Sequence, residues 1–282
     1  MATRAASAPE RQPLWHPEDV PPFPAVALKA LNMMAGTDTS LRDLCDLIRS
    51  DPAFSTEVLR LANSPLVAFS RDITNVLQAS MLLGFRRLRS LVIAVGLRAY
   101  LAEPFTPLLR SCWRHSLACA TIAERATKAC LLDKDFAFTS GVMHDVGRVV
   151  LVVSMPGEYA RLTEFGAEHP RDLLPLEREF CGLDHCQAGA ILVKEWALPE
   201  VFTAITSCHH DAGGTASSGA SMVGLACQMA DVLGFGVEAY RNPGSYEQIV
   251  SAFPEEARSC FPEDGRELGA EILREIALLE SE

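Results

Sequence analysis

The segment SLRDLCDLIRS sets Leu41, Leu44, Leu47 and Ile48 on one stripe at three- and four-residue spacing with charged residues between them, which predicts an amphipathic helix. Ser40 stands at its N-cap, where a hydroxyl can accept an otherwise unpaired N–H of the first turn. In the next segment, DPAFSTEVLRLANS, Asp51 takes the capping position. Pro52 takes the first helical position, where proline's missing donor is not needed. Upstream, AVALKALNMMA reads as a helix ended by Gly36. Downstream, TNVLQASMLLG closes on Gly84, and FRRLRSLVIAVGLRAYL makes a longer, mostly apolar helix. Pro104 and Pro107 interrupt the pattern and mark a domain boundary.

Beyond that boundary, LLRSCWRHSLACATIAERATKACL is a long helix with Ala and Cys at helical spacing. FAFTSGVMHDVGRVVLVVS follows as one helix ending before Pro156. Then come GEYARLTEFGAE, LLPLEREFCG, DHCQAGAILVKEW and PEVFTAITSCHH. A flexible connector, DAGGTASSGA, precedes SMVGLACQMADVLGF, and the last forty residues read as two or three small helices. The expectation is an all-α protein. It divides into a flexible tail at 1–20, a helical subdomain at 21–105, a second at 106–240 and C-terminal helices at 241–282.

With 49% hydrophobic residues, the 282-residue chain can bury a full core. A formal net charge of -11 opposes binding to nucleic acid or an anionic membrane, so neither is expected as a partner. The local cluster Arg86, Arg87 and Arg89 reads as a solvated helix face. Nine cysteines without a C-x-x-C pair read as reduced thiols that act as small buried hydrophobes and are not spaced to compete for a metal. The first twenty residues hold no apolar segment, and apolar runs such as Val149 to Val153 fall short of the ~20 residues of a membrane span. A cytoplasmic location is expected.

One polar pair breaks an apolar run: His144 and Asp145 in SGVMHDVGRVVL. Burying a bare carboxylate costs several kcal/mol, so a metal, a hydrogen-bond network or water must compensate it. Five of the seven histidines, His115, His144, His185, His209 and His210, lie between the boundary and residue 210, whereas His16 and His169 fall in tail or loop. Asp145 and Asp231 join them from apolar helical sequence. Taken singly, each has an ordinary explanation: a satisfied core histidine, a charge at a helix C-terminus, a cap. Jointly they make a donor set of imidazole and carboxylate that suits Mn, Fe, Zn or Ni. The set is large enough for two ions that share a bridging carboxylate and clamp a phosphoryl group.

The order His115 in WRHS, His144-Asp145 in GVMHDVGRVVL, His185 in LDHCQAGAIL, His209-His210 in SCHH and Asp231 in QMAD resembles the HD phosphohydrolase superfamily. Within it, PPFPAVALKAL, LIRSDPAFSTEVLRLANSP and LQASMLLGFRRLRSLV are similar to the opening of the HDOD (HD-related output domain) family, and EWALPEVFTAITSCHH fits the same pattern. The resemblance spans about residues 20 to 235. It implies an N-terminal helical subdomain packed on an HD-like helical bundle. It also implies a bacterial signalling module that works with response regulators, cyclases, chemotaxis components or cyclic-di-GMP systems. The matching metal positions are His115, His144, Asp145, His185, His209, His210 and Asp231, for one or two Fe, Mn, Zn or Ni ions, or for a vestigial, empty site. Related HD-GYP phosphodiesterases differ at three places. They often carry glutamate where this chain has Ser111 and commonly lysine where it has Arg148, and their GYP signature is replaced here by DAGGTASSGA. Two readings stand: a regulatory module acting through protein partners, and a metal-dependent phosphohydrolase of nucleotides or cyclic dinucleotides in which Arg148 neutralises developing charge. Sensing of a nucleotide ligand without turnover is a third.

Overall fold

Ser40 accepts the N–H of Asp43 at 3.1 Å and Asp51 accepts that of Phe54 at 3.0 Å. The two capped helices therefore begin where their sequence predicts. The computed structural model describes Trp15 and residues 24–35, 40–63, 73–100, 106–127, 134–169, 172–210, 219–237 and 244–280, among which every element is helical. The N-terminal half comprises α1 (Ala25–Ala35), α2 (Leu41–Arg49), α3 (Pro52–Ala62) and α4 (Val76–Tyr100). α4 bends at Gly84, whose φ of 73° suits a residue without a Cβ. Leu31, Leu44, Ile48, Val58, Leu88 and Ile93 are buried where α1, α2 and α3 pack on α4, and α4 also packs on the second half.

That second half comprises α5 (Pro107–Ala126), α6 (Lys134–Met143), α7 (Val146–Ser154), α8 (Pro156–Glu168), α9 (Leu173–Cys181), α10 (His185–Glu195), α11 (Val201–Cys208) and α12 (Gly219–Ala230). A π turn, Asp231–Phe235, extends α12, and α13 (Tyr246–Ala252), α14 (Glu255–Arg258) and α15 (Gly265–Glu280) follow. Pro107 stands at the first position of α5, after the extended Thr106, whose hydroxyl accepts the N–H of Leu109 at 3.2 Å. α15 is longer than the small terminal helices expected and packs on α5 and the π turn.

One predicted helix is two. FAFTSGVMHDVGRVVLVVS breaks at His144 and Asp145, which form a turn between α6 and α7 with Asp145 at φ -102° and ψ 17°. The reason is long-range: α6 runs so close to α5 that a Cβ on Gly141 would lie 2.4 Å from Ala120 Cα. α7 turns away to pack on α10 and α8. Phe136–Ser154 is long and apolar enough to cross a membrane by composition, but most of its residues are buried within the protein. Of the expected flexible tail, only Trp15 is described, and it is buried in the core. The boundary near 105, the 211–218 connector and the side chains of Arg86, Arg87 and Arg89 lie outside the described residues.

Candidate metal centre

Four segments deliver six of the seven predicted polar residues to one place. α5 carries His115 in mid-helix, the α6–α7 turn holds His144 and Asp145, His185 opens α10, and His209 and His210 follow α11. Asp184 sets the start of α10 by a capping box with Gln187, which fixes where His185 stands. α7 and α10 touch backbone to backbone beside it: a Cβ on Gly147 would lie 2.0 Å from His185 O. His115, His144, Asp145, His185 and His209 are each 3% exposed or less, and His210 is partly exposed.

The ring nitrogens are sorted by their partners. His144 Nδ1 faces Gly141 O at 2.7 Å, His115 Nδ1 faces Phe235 O at 3.2 Å, and His209 Nδ1 faces Ile205 O and Thr206 O at 3.2 and 3.1 Å. Carbonyl oxygens only accept, so in each neutral ring the proton sits on Nδ1 and the lone pair on Nε2. The Nε2 atoms then point inward at one another, with His115 and His144 3.3 Å apart, His185 and His209 3.3 Å, and His185 and His210 3.0 Å. Asp145 lies between the groups. Its Oδ1 is 3.3 Å from His185 Nε2 and 3.2 Å from His209 Nε2. Its Oδ2 is 3.8 Å from both His115 and His144 Nε2 and 3.3 Å from Arg148 Nε.

Acceptors dominate this pocket. Both Asp145 oxygens are buried without a hydrogen bond of good geometry; Arg148 at 3.3 Å offsets the charge on one side, and a cation among the imidazoles would satisfy the lone pairs that Arg148 does not reach. Two nitrogens bound at ~2.1 Å to one ion, at ordinary coordination angles, sit roughly 3.0–3.4 Å apart. The observed Nε2 spacings fall in that range, so the residues present fit a divalent transition metal. Asp145, facing one histidine group with each oxygen, fits a carboxylate shared by two ions.

The electrostatics keep three of the imidazoles as free acceptors and set His185 apart. Burial pulls His144, His209 and His210 down from the usual imidazole range, so their rings are neutral. Burial also pushes Asp145 toward its neutral form. Arg148 first, and then His185, outweigh it and hold that carboxyl well below the carboxylate range. His185 is raised well above the imidazole range, because Glu177 and Asp145 overcome its burial, so its Nε2 carries a proton toward Asp145 Oδ1 where a bound cation would take the proton's place.

Glu177 was not among the residues singled out from the sequence. It is fully buried on α9, accepts His185 Nδ1–H at 2.6 Å and the His185 backbone N–H at 2.8 Å, and takes the Tyr159 hydroxyl at 2.7 Å. A carboxylate on the far ring nitrogen fixes a ligand's orientation and basicity. The one local signal for it was a glutamate at a buried position of an amphipathic helix. The thiols also depart from expectation. Cys227 Sγ lies 3.5 Å from His115 Nε2, and Cys186 Sγ lies within 4.8 Å of a ring nitrogen of His185, His209 and His210. Asp231, by contrast, lies on the outer side of His115, with Oδ1 3.5 Å from Nδ1. Beyond it, Val232, Phe235, Tyr246, Arg266 and Leu273 line a cavity of about 550 Å³ on the outer side of the π turn.

Residues 20–212 match the HDOD domain family. An uncharacterized protein of Treponema pallidum (strain Nichols) is 27% identical over 199 residues, covering 69% of this chain and only 38% of that relative's length. An HDOD domain protein of unknown function from Geobacter sulfurreducens superposes with a TM-score of 0.73 at 23% identity, over 92% of this chain and 91% of its own. A protein of Shewanella amazonensis SB2B, provisionally named a phosphohydrolase, superposes with a TM-score of 0.70 at 22% identity, over 93% of both chains. At such identities the shared property of the solved structures is the helical fold. By the extent of the family match, which covers most of the chain, this protein belongs to the HDOD domain family.

Proposed function

We propose that the chain is a regulatory module of bacterial signal transduction that acts through protein partners and carries a divalent-metal centre in its HD-like half. The observation that carries this reading is a set of imidazole and carboxylate donors sunk into the core: five of its members are 3% exposed or less. Arg148, itself buried, is laid against Asp145 at 3.3 Å rather than held toward solvent. Glu177 orients His185, and the Nδ1 contacts of His115, His144 and His209 fix their tautomers. A centre of this kind ties α5, α7, α10 and α11 together. On the N-terminal half, α4 leaves Leu77, Met81 and Leu82 exposed at 36, 64 and 48%, a patch suited to a protein partner such as a response regulator, cyclase or chemotaxis component.

The test is metal content followed by turnover. Protein purified anaerobically is expected to hold one or two transition-metal ions per chain. It is expected to leave bis(4-nitrophenyl) phosphate and cyclic-di-GMP intact with Mn²⁺ or Fe²⁺ added. Hydrolysis that vanishes in Asp145→Asn would overturn the reading.

The geometry of Asp145 favours a second reading, a metal-dependent phosphohydrolase of nucleotides or cyclic dinucleotides. Its two oxygens face separate histidine groups, as a bridge between two ions requires. Bound ions would supply Lewis acidity to a phosphoryl group. Asp145 would then hold the ions in register, and Arg148 would keep that carboxylate charged. Hydrolysis in the assay above selects this reading.

A further inference from the structure

α12 and its π extension send two side chains, one helical turn apart, toward His115: Cys227 and Asp231. They meet opposite sides of the imidazole. Asp231 Oδ1 sits 3.5 Å from Nδ1, the nitrogen that donates to Phe235 O. Cys227 Sγ sits 3.5 Å from Nε2, the nitrogen that faces His144 Nε2 and Asp145 Oδ2. The thiol is therefore inside the ring of donors, and the carboxylate is outside it.

We propose that Cys227 is a thiolate ligand of a divalent metal at the His115–His144 end of the centre, making that position selective for thiophilic ions such as Zn²⁺, Fe²⁺ or Co²⁺ over Mn²⁺ or Mg²⁺. The proposal rests on the reading of this cluster as a metal centre. Three observations carry it further. Cys227 is 2% exposed, and its sulfur, His115 Nε2 and His144 Nε2 are mutually within 4.8 Å. Asp145 Oδ2, buried without a hydrogen bond, lies within 3.8 Å of both of these nitrogens. A sulfur at ~2.3 Å and a nitrogen at ~2.1 Å from one ion stand roughly 3.4–3.6 Å apart, and the observed separation is 3.5 Å.

A neutral S–H donating weakly to His115 Nε2 is the competing account. It satisfies one lone pair and leaves His144 Nε2 and Asp145 Oδ2 facing only other acceptors and Arg148. On metal binding the S–H bond breaks, the proton leaves to solvent, and a sulfur electron pair forms the bond to the ion; nothing is oxidised. Thiolate sulfur favours Zn²⁺, Co²⁺ and Fe²⁺ over the harder Mn²⁺ and Mg²⁺. Cys119, one turn along α5 from His115, is a natural control, because its sulfur contacts Val223 O at 3.7 Å.

The experiment titrates the metal-free full chain with Co²⁺ under anaerobic conditions and records its absorption spectrum. Thiolate ligation gives an intense sulfur-to-cobalt charge-transfer band in the near ultraviolet, separate from the weak visible bands of any bound Co²⁺. The band is expected in wild type, Cys119→Ser and Cys186→Ser. It is expected to be lost in Cys227→Ser while visible Co²⁺ bands persist, and the Zn²⁺-over-Mn²⁺ preference is expected to fall at least tenfold there. Visible bands without charge transfer in wild type would overturn the proposal and leave the metal centre standing. So would a band that survives Cys227→Ser and disappears in Cys186→Ser. Absence of any Co²⁺ binding by wild type removes the metal centre and this ligand with it. Should Cys227→Ser fail to fold, X-ray absorption of the Zn²⁺-loaded wild type decides the matter: a sulfur neighbour supports the proposal when Cys186→Ser retains it, and a shell of nitrogen and oxygen alone overturns it.

Discussion

Replacing Gly147 with alanine adds a methyl group where α7 meets α10. Built on the existing backbone, that carbon would stand 2.0 Å from His185 O and 2.5 Å from Gly189 N, where ordinary contact begins at 3.4 Å. Both neighbours are main chain, so no side chain can swing aside, and the helices must part by about 1 Å or more. Overpacking of this kind costs about 1–3 kcal/mol. At roughly 2–4 °C per kcal/mol, that lowers the melting temperature by about 2–12 °C. The same shift carries His185 away from Asp145 Oδ1, now 3.3 Å from its Nε2, so metal content should fall alongside stability. Gly157→Ala is the matched control. Its added carbon meets nothing within 4 Å near the start of α8, and it should stabilise by about 0.4–1 kcal/mol. Thermal unfolding followed by helical circular dichroism, with elemental analysis of the same samples, reads both. A Gly147→Ala protein that melts with wild type and holds as much metal would refute the account of how α7 and α10 position the centre.

Glu177→Gln removes the carboxylate that takes both His185 N–H groups and the Tyr159 hydroxyl. It should weaken metal affinity by roughly 10–100-fold in a chelator competition, and unchanged affinity would show that His185 needs no orienting partner. A chelator should lower the melting temperature of the loaded protein, because a ligand present at 100 times its Kd adds ~2.7 kcal/mol to stability. Asp145→Asn should show a smaller drop or none. Glu275 is raised above the usual carboxyl range by burial and then by Glu271, so the folded state holds its proton more tightly than the unfolded state does. Its charged form is a liability above the raised value and none below the unfolded value of ~4.3. Glu275→Gln should therefore melt higher than wild type at pH 8, with the gap closing on acidification toward pH 4. A gap that widens on acidification would contradict the sign.

Much of the secondary structure was legible because its causes are local. The Ser40 and Asp51 caps act over three residues, and the stripe of Leu44 and Ile48 over four. The same holds for the candidate site as a list of residues. Imidazole and carboxylate in apolar helical sequence are costly to bury alone, so each one signalled a compensating partner elsewhere. His144 and Asp145 were visible in this way, yet the turn they make was not. GVMHDVGRVVL carries no glycine–proline stop on either side of the polar pair, and the break comes from the packing of α6 on α5 and of α7 on α10.

The sequence by itself determined an all-α chain, the placement of most of its helices, and most of the polar side chains, Glu177 excepted, that would be stranded in the core without a shared partner. The tertiary structure decided how those side chains meet: Nε2 inward and Nδ1 outward, Cys227 within the donor ring and Asp231 behind His115, Glu177 on the far face of His185. Periodicity and capping are written within one or two turns of a helix. The meeting of donors separated by as many as 112 residues depends on where helix backbones touch, as at Gly141 and Gly147, and that distance is set by the packing of the whole half.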